Sequence, residues 1–365
     1  MQSRSKYRIL FAGGGTGGHL FPAIAVAESI RKLMPEADIL FVGNKNKIEG
    51  RVVPKLGYNF KSIWIKGFVR RLTFGNLLFP LRLIVSLAQA LVINMKFKPN
   101  VAIGGGGYVA GPVIWGSKVM GAKIILLEQN SYPGVTTRIL AKYADEIHVS
   151  YNDSKKYFRN KEKVYVTGCP TRKNVSEFAK ETNLFGIKEG KKTLLVLGGS
   201  GGAKSINDAM AGLVSELREK DISVIWQTGN YYYDNYKNLE NDLIYIVPFI
   251  ENMQEAYSVS DLVVARAGAT TIAELSNLGK PCILIPSPNV AENHQYYNAK
   301  SIADEGGCIL INDDRIKTEL KEKLILTILS EETQKELGCN IKKFSNPNAA
   351  DLIAKRIIHL AGTVL

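Results

Sequence analysis

Residues 11–22 read FAGGGTGGHLFP, Phe11 to Pro22, and how this stretch folds decides the architecture of the chain. An apolar run, Tyr7 to Ala12, leads into it, and an amphipathic helical pattern, Ala23–Leu33, leads out. Glycines at 13, 14, 15, 17 and 18 let the backbone turn tightly and leave its N–H groups bare where the helix begins. A helix start carries free amides and the positive end of the macrodipole, so an anionic ligand fits there. Gly13, Gly15 and Gly18 also satisfy G-x-G-x-x-G, the dinucleotide fingerprint. That fingerprint needs a carboxylate at the end of the second strand to hold a ribose. Here the run Ile39–Val42 ends in Gly43-Asn44, and the dinucleotide signal is weak. The odd feature is His19, a titratable side chain directly after the glycines.

Working outward, apolar runs at 7–12, 39–42, 101–103, 124–127, 146–149 and 164–166 alternate with helical patterns. Such alternation argues for a parallel sheet flanked by helices. The pattern restarts at Thr193–Leu197, which ends in Gly198-Gly199-Ser200-Gly201-Gly202 and leads to a helical pattern, Ile206–Glu219. Further runs follow at 222–226, 243–247, 262–265 and 282–285, and a last helical pattern, Ala349–Leu360, follows an Asn cap. Two units that each open strand, glycine turn, helix predict an α/β chain of two Rossmann-like, doubly wound domains facing a cleft. The join falls near Gly168-Cys-Pro170-Thr, giving domains 1–168 and 169–346.

A length of 365 residues suits two domains that each bury a core. The four cysteines (169, 282, 308, 339) form no C-x-x-C, which indicates neither a zinc site nor a disulfide frame and suits a reducing cytoplasm. The N-terminus lacks the apolar region of a signal peptide, and Leu83–Met95 is apolar but shorter than a membrane span. The formal charge of +13 is unevenly placed: between Glu49 and Glu128 there is no acidic residue, against eleven Lys/Arg. That asymmetry points to a polyanionic partner, nucleic acid or an anionic membrane. Nucleic-acid binding would call for stacking aromatics in an RRM- or OB-like pattern among the basic residues, and none is present.

Gly67–Lys98 carries more large apolar residues than one buried helix face needs. Ile84–Met95 reads as a core helix. Phe68, Phe74, Leu77, Leu78 and Phe79, interleaved with Arg70, Arg71 and Arg82, fit either a loop or a membrane contact resting on anionic lipid. Each Lys/Arg near such a surface contributes ~1 kcal/mol, so five or six give weak, salt-sensitive adsorption.

The second glycine turn continues to Ala203-Lys204-Ser205, one residue short of a Walker A loop. No acidic residue ends the strand Leu262–Ala265 to hold Mg²⁺, so a nucleotide contact through Ser200 and the turn amides fits better than an NTPase. In 266–275, RAGATTIAEL, a glycine turn opens a helix whose amides could hold a diphosphate. Glu274, one turn after Thr270, could accept both hydroxyls of a ribose, or close a capping box with Thr271; the same letters fit both. A third glycine turn, Gly104–Gly107, precedes Tyr108, and the segment from Ala291 to Asn298 begins a helix whose amide side chains could read sugar hydroxyls. Of the four histidines, His148 and His359 fall in structural settings, leaving His19 and His294. Neither H-x-x-x-H nor D-x-D occurs, so no protein-held metal or other cofactor is expected.

With these segments assembled, the chain resembles the MurG family of glycosyltransferases. The match is carried by GGGTGGHLFPA (13–23), GGGGYVAGP (104–112), EQNSYPG (128–134), GCPTR (168–172), LGGSGGAKSIN (197–207), RAGATTIAEL (266–275) and NHQYYNA (293–299), in family order along nearly the whole chain. The resemblance implies a GT-B fold, with 347–365 returning to the first domain. It implies transfer of N-acetylglucosamine from UDP-N-acetylglucosamine to lipid I at the cytoplasmic face of the bacterial inner membrane, beside other cell-wall synthesis proteins. By the same resemblance Thr16, Gly17, Gly18, Asn130, Arg172, Ser200, Ile250, Ala269, Thr270, Thr271, Glu274, Gln295 and Asn298 bind the donor. Gly105, Gly106, Tyr108 and Glu128 face the acceptor, and His19 matches a histidine proposed as base. Leu127 stands where the family usually has histidine, so an acceptor contact ascribed to that residue is not carried over. Of His294-Gln295, only Gln295 is. The nearest rival on the same scaffold is a UDP-N-acetylglucosamine 2-epimerase, which leaves the acid-free basic stretch unexplained; a membrane-adsorbed nucleotide binder is a rival of another class.

Overall fold

Parallel strands covered on both faces read as unbroken apolar runs, and the inner strands of this chain follow that rule. The computed structural model describes residues 7–67, 79–171, 185–187, 190–199 and 201–362. They fall into two units, Met1–Arg172 with Pro347–Leu365, and Lys173–Asn346.

The first unit holds β1 (Arg8–Ala12), β2 (Asp38–Gly43), β3 (Asn59–Ser62), β4 (Val101–Gly104), β5 (Lys123–Glu128), β6 (Glu146–Val149) and β7 (Val164–Val166). They form one sheet in the order β3-β2-β1-β4-β5-β6-β7, each pair parallel. The order reverses between β1 and β4, and it is outside the carboxyl ends of strands at such a switch point that doubly wound sheets bind ligands. The Gly13–Gly18 and Gly104–Gly107 turns leave those two ends. The opening helix, Gly17–Leu33, starts six residues before the expected pattern and continues through Pro22, which forfeits only the bond to the Gly18 carbonyl. The terminal helix, Ala349–Gly362, lays Ile353, Ala354 and Ile357 into the same core as Ile9, Leu20 and Ile24, and Ser29 donates to Asp351 at 2.7 Å.

The helix expected over Ile84–Met95 is longer and is not a core helix. It runs from Phe79 to Phe97, and its buried residues are Ser86, Ala90 and Asn94, a stripe at four-residue spacing. Asn94 reaches the Val113 carbonyl at 3.3 Å and accepts from Ser117 at 2.7 Å on the neighbouring helix, Ala110–Val119. The small and polar stripe packs inward while Leu81, Ile84, Val92 and Met95 are exposed. By length and composition alone this helix could cross a membrane, contrary to the expectation from Leu83–Met95, and 17% of its most apolar window is buried. Phe68, Arg70, Arg71, Phe74, Leu77 and Leu78 lie outside the described residues.

The second unit holds β8 (Thr193–Leu197), β9 (Ser223–Gln227), β10 (Ile244–Val247), β11 (Leu262–Ala265), β12 (Cys282–Leu284) and β13 (Ile309–Leu310), in the order β10-β9-β8-β11-β12-β13, again parallel. Its switch point lies between β8 and β11, where the Gly198–Gly202 turn and the Arg266–Gly268 turn emerge. The helical pattern expected over Ile206–Glu219 is two helices, Lys204–Ala211 and Val214–Glu219, parted at Gly212-Leu213.

Candidate functional site

In the first unit the two glycine turns touch. Gly105 N–H donates to the Ala12 carbonyl at 2.8 Å. A Cβ on Gly13 would lie 3.3 Å from Gly105 Cα, and one on Gly107 2.6 Å from the Gly14 carbonyl oxygen. His19, half-buried in the first turn of its helix, places Nδ1 3.1 Å from Thr16 Oγ1. Gly106, at φ +95°, passes so close to the ring that a Cβ there would sit 2.6 Å from His19 Cδ2. Thr16, Gly17, Gly18, Gly105, Gly106 and His19 are therefore gathered at one switch point.

The carboxylate missing from the end of β2 is present in space. Glu49, on the helix Ile48–Lys55, is 1% exposed; Oε1 accepts from Asn44 N–H and Oε2 from Gly15 N–H, both at 2.9 Å. Gly14 and Gly43 make room for it, since a Cβ on either would come within 2.4 Å of its side chain. With an oxygen committed to each of two backbone amides, Glu49 stitches the glycine turn to β2. Sequence reasoning missed this role; the only signal was glycine at both 14 and 43. Tyr108 stands beside it: burial first, then the Glu49 charge, raise its pKa, while a hydrogen bond with Asn44 opposes them.

Glu128 is buried at the end of β5. It accepts from Asn130 N–H at 3.0 Å, Asn130 Nδ2 at 3.2 Å and Gly134 N–H at 2.9 Å, shaping the 128–134 turn that carries Asn130. Burial pushes its carboxyl pKa up, against these hydrogen bonds and one with Thr137. His148 is structural in setting: Nε2 lies 3.1 Å from Glu146, which Arg356 of the terminal helix also grips at 2.6 and 2.5 Å.

In the second unit the helix Ala269–Leu278 begins after its N-cap, Gly268, which has no side chain to cap it. Thr271 is thus the third helical residue rather than the cap, which removes the capping-box reading of Thr271 with Glu274. The Thr270 hydroxyl oxygen is buried with no hydrogen-bond partner among the described residues. Glu274, half-buried one turn in, accepts from Tyr257 Oη at 2.9 Å. Asn298 is fully buried and donates to the Ala267 carbonyl at 3.4 Å, bracing the approach to the helix start. Gln295, on the helix His294–Ala303, accepts from Ser287 N–H at 2.8 Å.

Across the switch point, Gly202 N–H closes the second glycine turn on the Gly199 carbonyl at 3.0 Å, and Gln227 Nε2 reaches the same carbonyl at 3.1 Å. The Gln227 oxygen accepts from Ile250 N–H at 2.9 Å, so one side chain ties the glycine turn to the buried Ile250. Arg266 is a second tie missed in the sequence: it pairs with Asp313 at 2.5 Å and donates to Ser205 at 2.8 Å and to the Ile285 and Pro286 carbonyls at 3.2 Å. Arg172 and Ser200 lie outside the described residues.

Two family models divide the chain as its two sheets do: the glycosyltransferase family 28 N-terminal domain matches residues 9–149 and the C-terminal domain residues 193–355. A protein of Cytophaga hutchinsonii is 39% identical over 100% of this chain and 99% of its own length. It is named UDP-N-acetylglucosamine--N-acetylmuramyl-(pentapeptide) pyrophosphoryl-undecaprenol N-acetylglucosamine transferase. The chain belongs to the MurG family of glycosyltransferases. The crystal structure of Acinetobacter baumannii MurG is similar at a TM-score of 0.77 and 25% identity, over 97% of this chain and 99% of that one. These MurG relatives place both parallel sheets in the GT-B class. That fold alone does not single out a reaction. A UDP-GlcNAc 2-epimerase from Neisseria meningitidis is similar at a TM-score of 0.68 and 12% identity, over 97% of this chain and 99% of that one.

Proposed function

We propose that this chain transfers N-acetylglucosamine from UDP-N-acetylglucosamine to the muramyl C4 hydroxyl of lipid I, yielding lipid II and UDP. The full-length identity to a transferase of that activity carries the reading, and the residues at the second switch point support it.

Transfer is an in-line displacement at the anomeric carbon, with inversion. The acceptor oxygen forms its bond to that carbon as the bond to the UDP oxygen breaks, and the acceptor proton passes to a base. Amides at the start of the Ala269–Leu278 helix, with Thr270 and Thr271, stabilise the departing diphosphate; Ser200 and Arg172 join them on the strength of the family match. No metal or other cofactor takes part in this proposal. Glu274 accepts the ribose hydroxyls, and Ile250, Gln295, Asn130 and the Thr16–Gly18 turn complete the donor contacts, while the fully buried Asn298, which the resemblance counted among them, braces the helix start from behind. Gly105, Gly106, Tyr108 and Glu128 shape the acceptor side. His19 is the base, a role that supplies ~10²–10⁴-fold.

The chain works at the cytoplasmic face of the bacterial inner membrane as a peripheral protein, beside other cell-wall synthesis proteins. The exposed apolar face of Phe79–Phe97 and its neighbouring Lys/Arg, including Arg82, rest on anionic lipid. An assay of UDP release from UDP-N-acetylglucosamine, with and without a lipid-linked muramyl acceptor, tests the activity. Release only with acceptor is expected. Free N-acetylmannosamine would make the chain an epimerase, and no turnover a binder.

A further inference from the structure

We infer that Tyr257 is a positioning residue for donor recognition, its hydroxyl holding one oxygen of Glu274 so that the carboxylate meets the donor ribose in a fixed orientation. The inference rests on Glu274 as the ribose carboxylate.

Tyr257 is 1% exposed, on the helix Met253–Val259, and its Oη lies 2.9 Å from Glu274 Oε2. A glutamate side chain has three rotatable bonds, and without a tether it reaches a ligand in only some of its rotamers. A phenol fixed by its surroundings removes that freedom at Oε2 and so restricts where the carboxylate can lie. Burial, and then the charge of Glu274, raise the Tyr257 pKa well above its ordinary value, so the hydroxyl remains a donor throughout the working pH range. The helix itself is anchored. Asn252 caps it by accepting from Glu255 N–H at 3.2 Å, and two residues earlier Ile250 N–H is held by Gln227. One seven-residue helix therefore joins the Ile250 turn to the side chain that grips Glu274. Base and ribose recognition share a support.

The test uses the full chain with lipid-linked acceptor and three donors: UDP-N-acetylglucosamine and its 2′-deoxy and 3′-deoxy ribose analogues. Tyr257→Phe keeps the ring and its volume. It should lower kcat/KM for the ribose donor ~10-fold, chiefly through KM, and leave the analogue lacking the contacted hydroxyl within ~2-fold of wild type. Discrimination between ribose and deoxyribose shrinks accordingly. Added to Glu274→Gln, the same change should reduce discrimination no further, because Tyr257 acts through Glu274. An equal loss for all three donors, or no loss, overturns the role of Tyr257 while Glu274→Gln alone still abolishes discrimination. If Glu274→Gln retains full discrimination, Glu274 is not the ribose carboxylate and the foundation fails with it.

Discussion

The two units put a glycine turn at the same point of the same topology and treat its surroundings in opposite ways. At the β1/β4 switch point the Gly15 amide is taken by the chain's own Glu49, and the neighbouring turns close around the His19 ring. At the β8/β11 switch point the Thr270 hydroxyl is buried with no partner among the described residues, and Glu274, one turn into the helix that follows Gly268, is held by Tyr257. A glycine-rich turn is thus not by itself a phosphate site. What matters is whether a buried carboxylate already answers the turn's amides. In the proposed function the first unit offers shape and a titratable ring, and the second offers donors to an anion.

The sharpest way to break this contrast is His19→Ala. If the first unit supplies the base, kcat falls ~10²–10⁴-fold with UDP affinity unchanged; turnover within a few-fold of wild type removes His19 from that role. Glu49→Ala comes next. It strands the part-buried Gly15 and Asn44 amides, each at up to ~1–3 kcal/mol, so the melting temperature should drop. The KM for the acceptor should rise while UDP binding holds.

Acid sharpens the comparison through a carboxylate whose role is structural, Glu146, paired with His148 and Arg356. Although burial acts to raise it, bonds to His148 and Arg356 and the Arg356 charge lower the Glu146 pKa from 4.5 to about 2. A depressed carboxyl stabilises the fold above its unfolded pKa and loses that contribution as pH falls from about 4.5 towards 2. The loss, roughly 3 kcal/mol at most, should appear in melting curves across that window and be missing from Glu146→Gln. The smallest effect on stability is expected for Ile84→Glu and Met95→Glu on the exposed face of Phe79–Phe97, within ~0.5 kcal/mol. The same pair should abolish sedimentation with anionic vesicles.

Legibility followed burial. Strands such as β1, β4 and β8 are covered on both faces and announce themselves as apolar runs. The edge strand Asn59–Ser62 is largely exposed and polar, and Ile309–Leu310 is two residues long, so neither left a run to find. Apolar letters over Ile84–Met95 disclosed a helix but neither its start at Phe79 nor which face it buries; a small stripe of Ser86, Ala90 and Asn94 faces inward, which only packing decides. At the sites, motif spacing located the turns at 13–18, 104–107, 198–202 and 266–268. The side chains that fix their geometry come from elsewhere: Glu49 reaches two turns from its own helix, Tyr257 reaches Glu274 across 17 positions, and Arg266 finds Asp313 47 positions on. Such ties leave no periodic signal.

The contrast between the units is tested most directly by calorimetric titration of UDP into wild type, Glu274→Gln and Glu49→Gln. The account predicts at least ~10-fold weaker binding for Glu274→Gln and binding within ~2-fold of wild type for Glu49→Gln. Loss of UDP binding in Glu49→Gln with full affinity in Glu274→Gln would place the nucleotide on the first unit and contradict it.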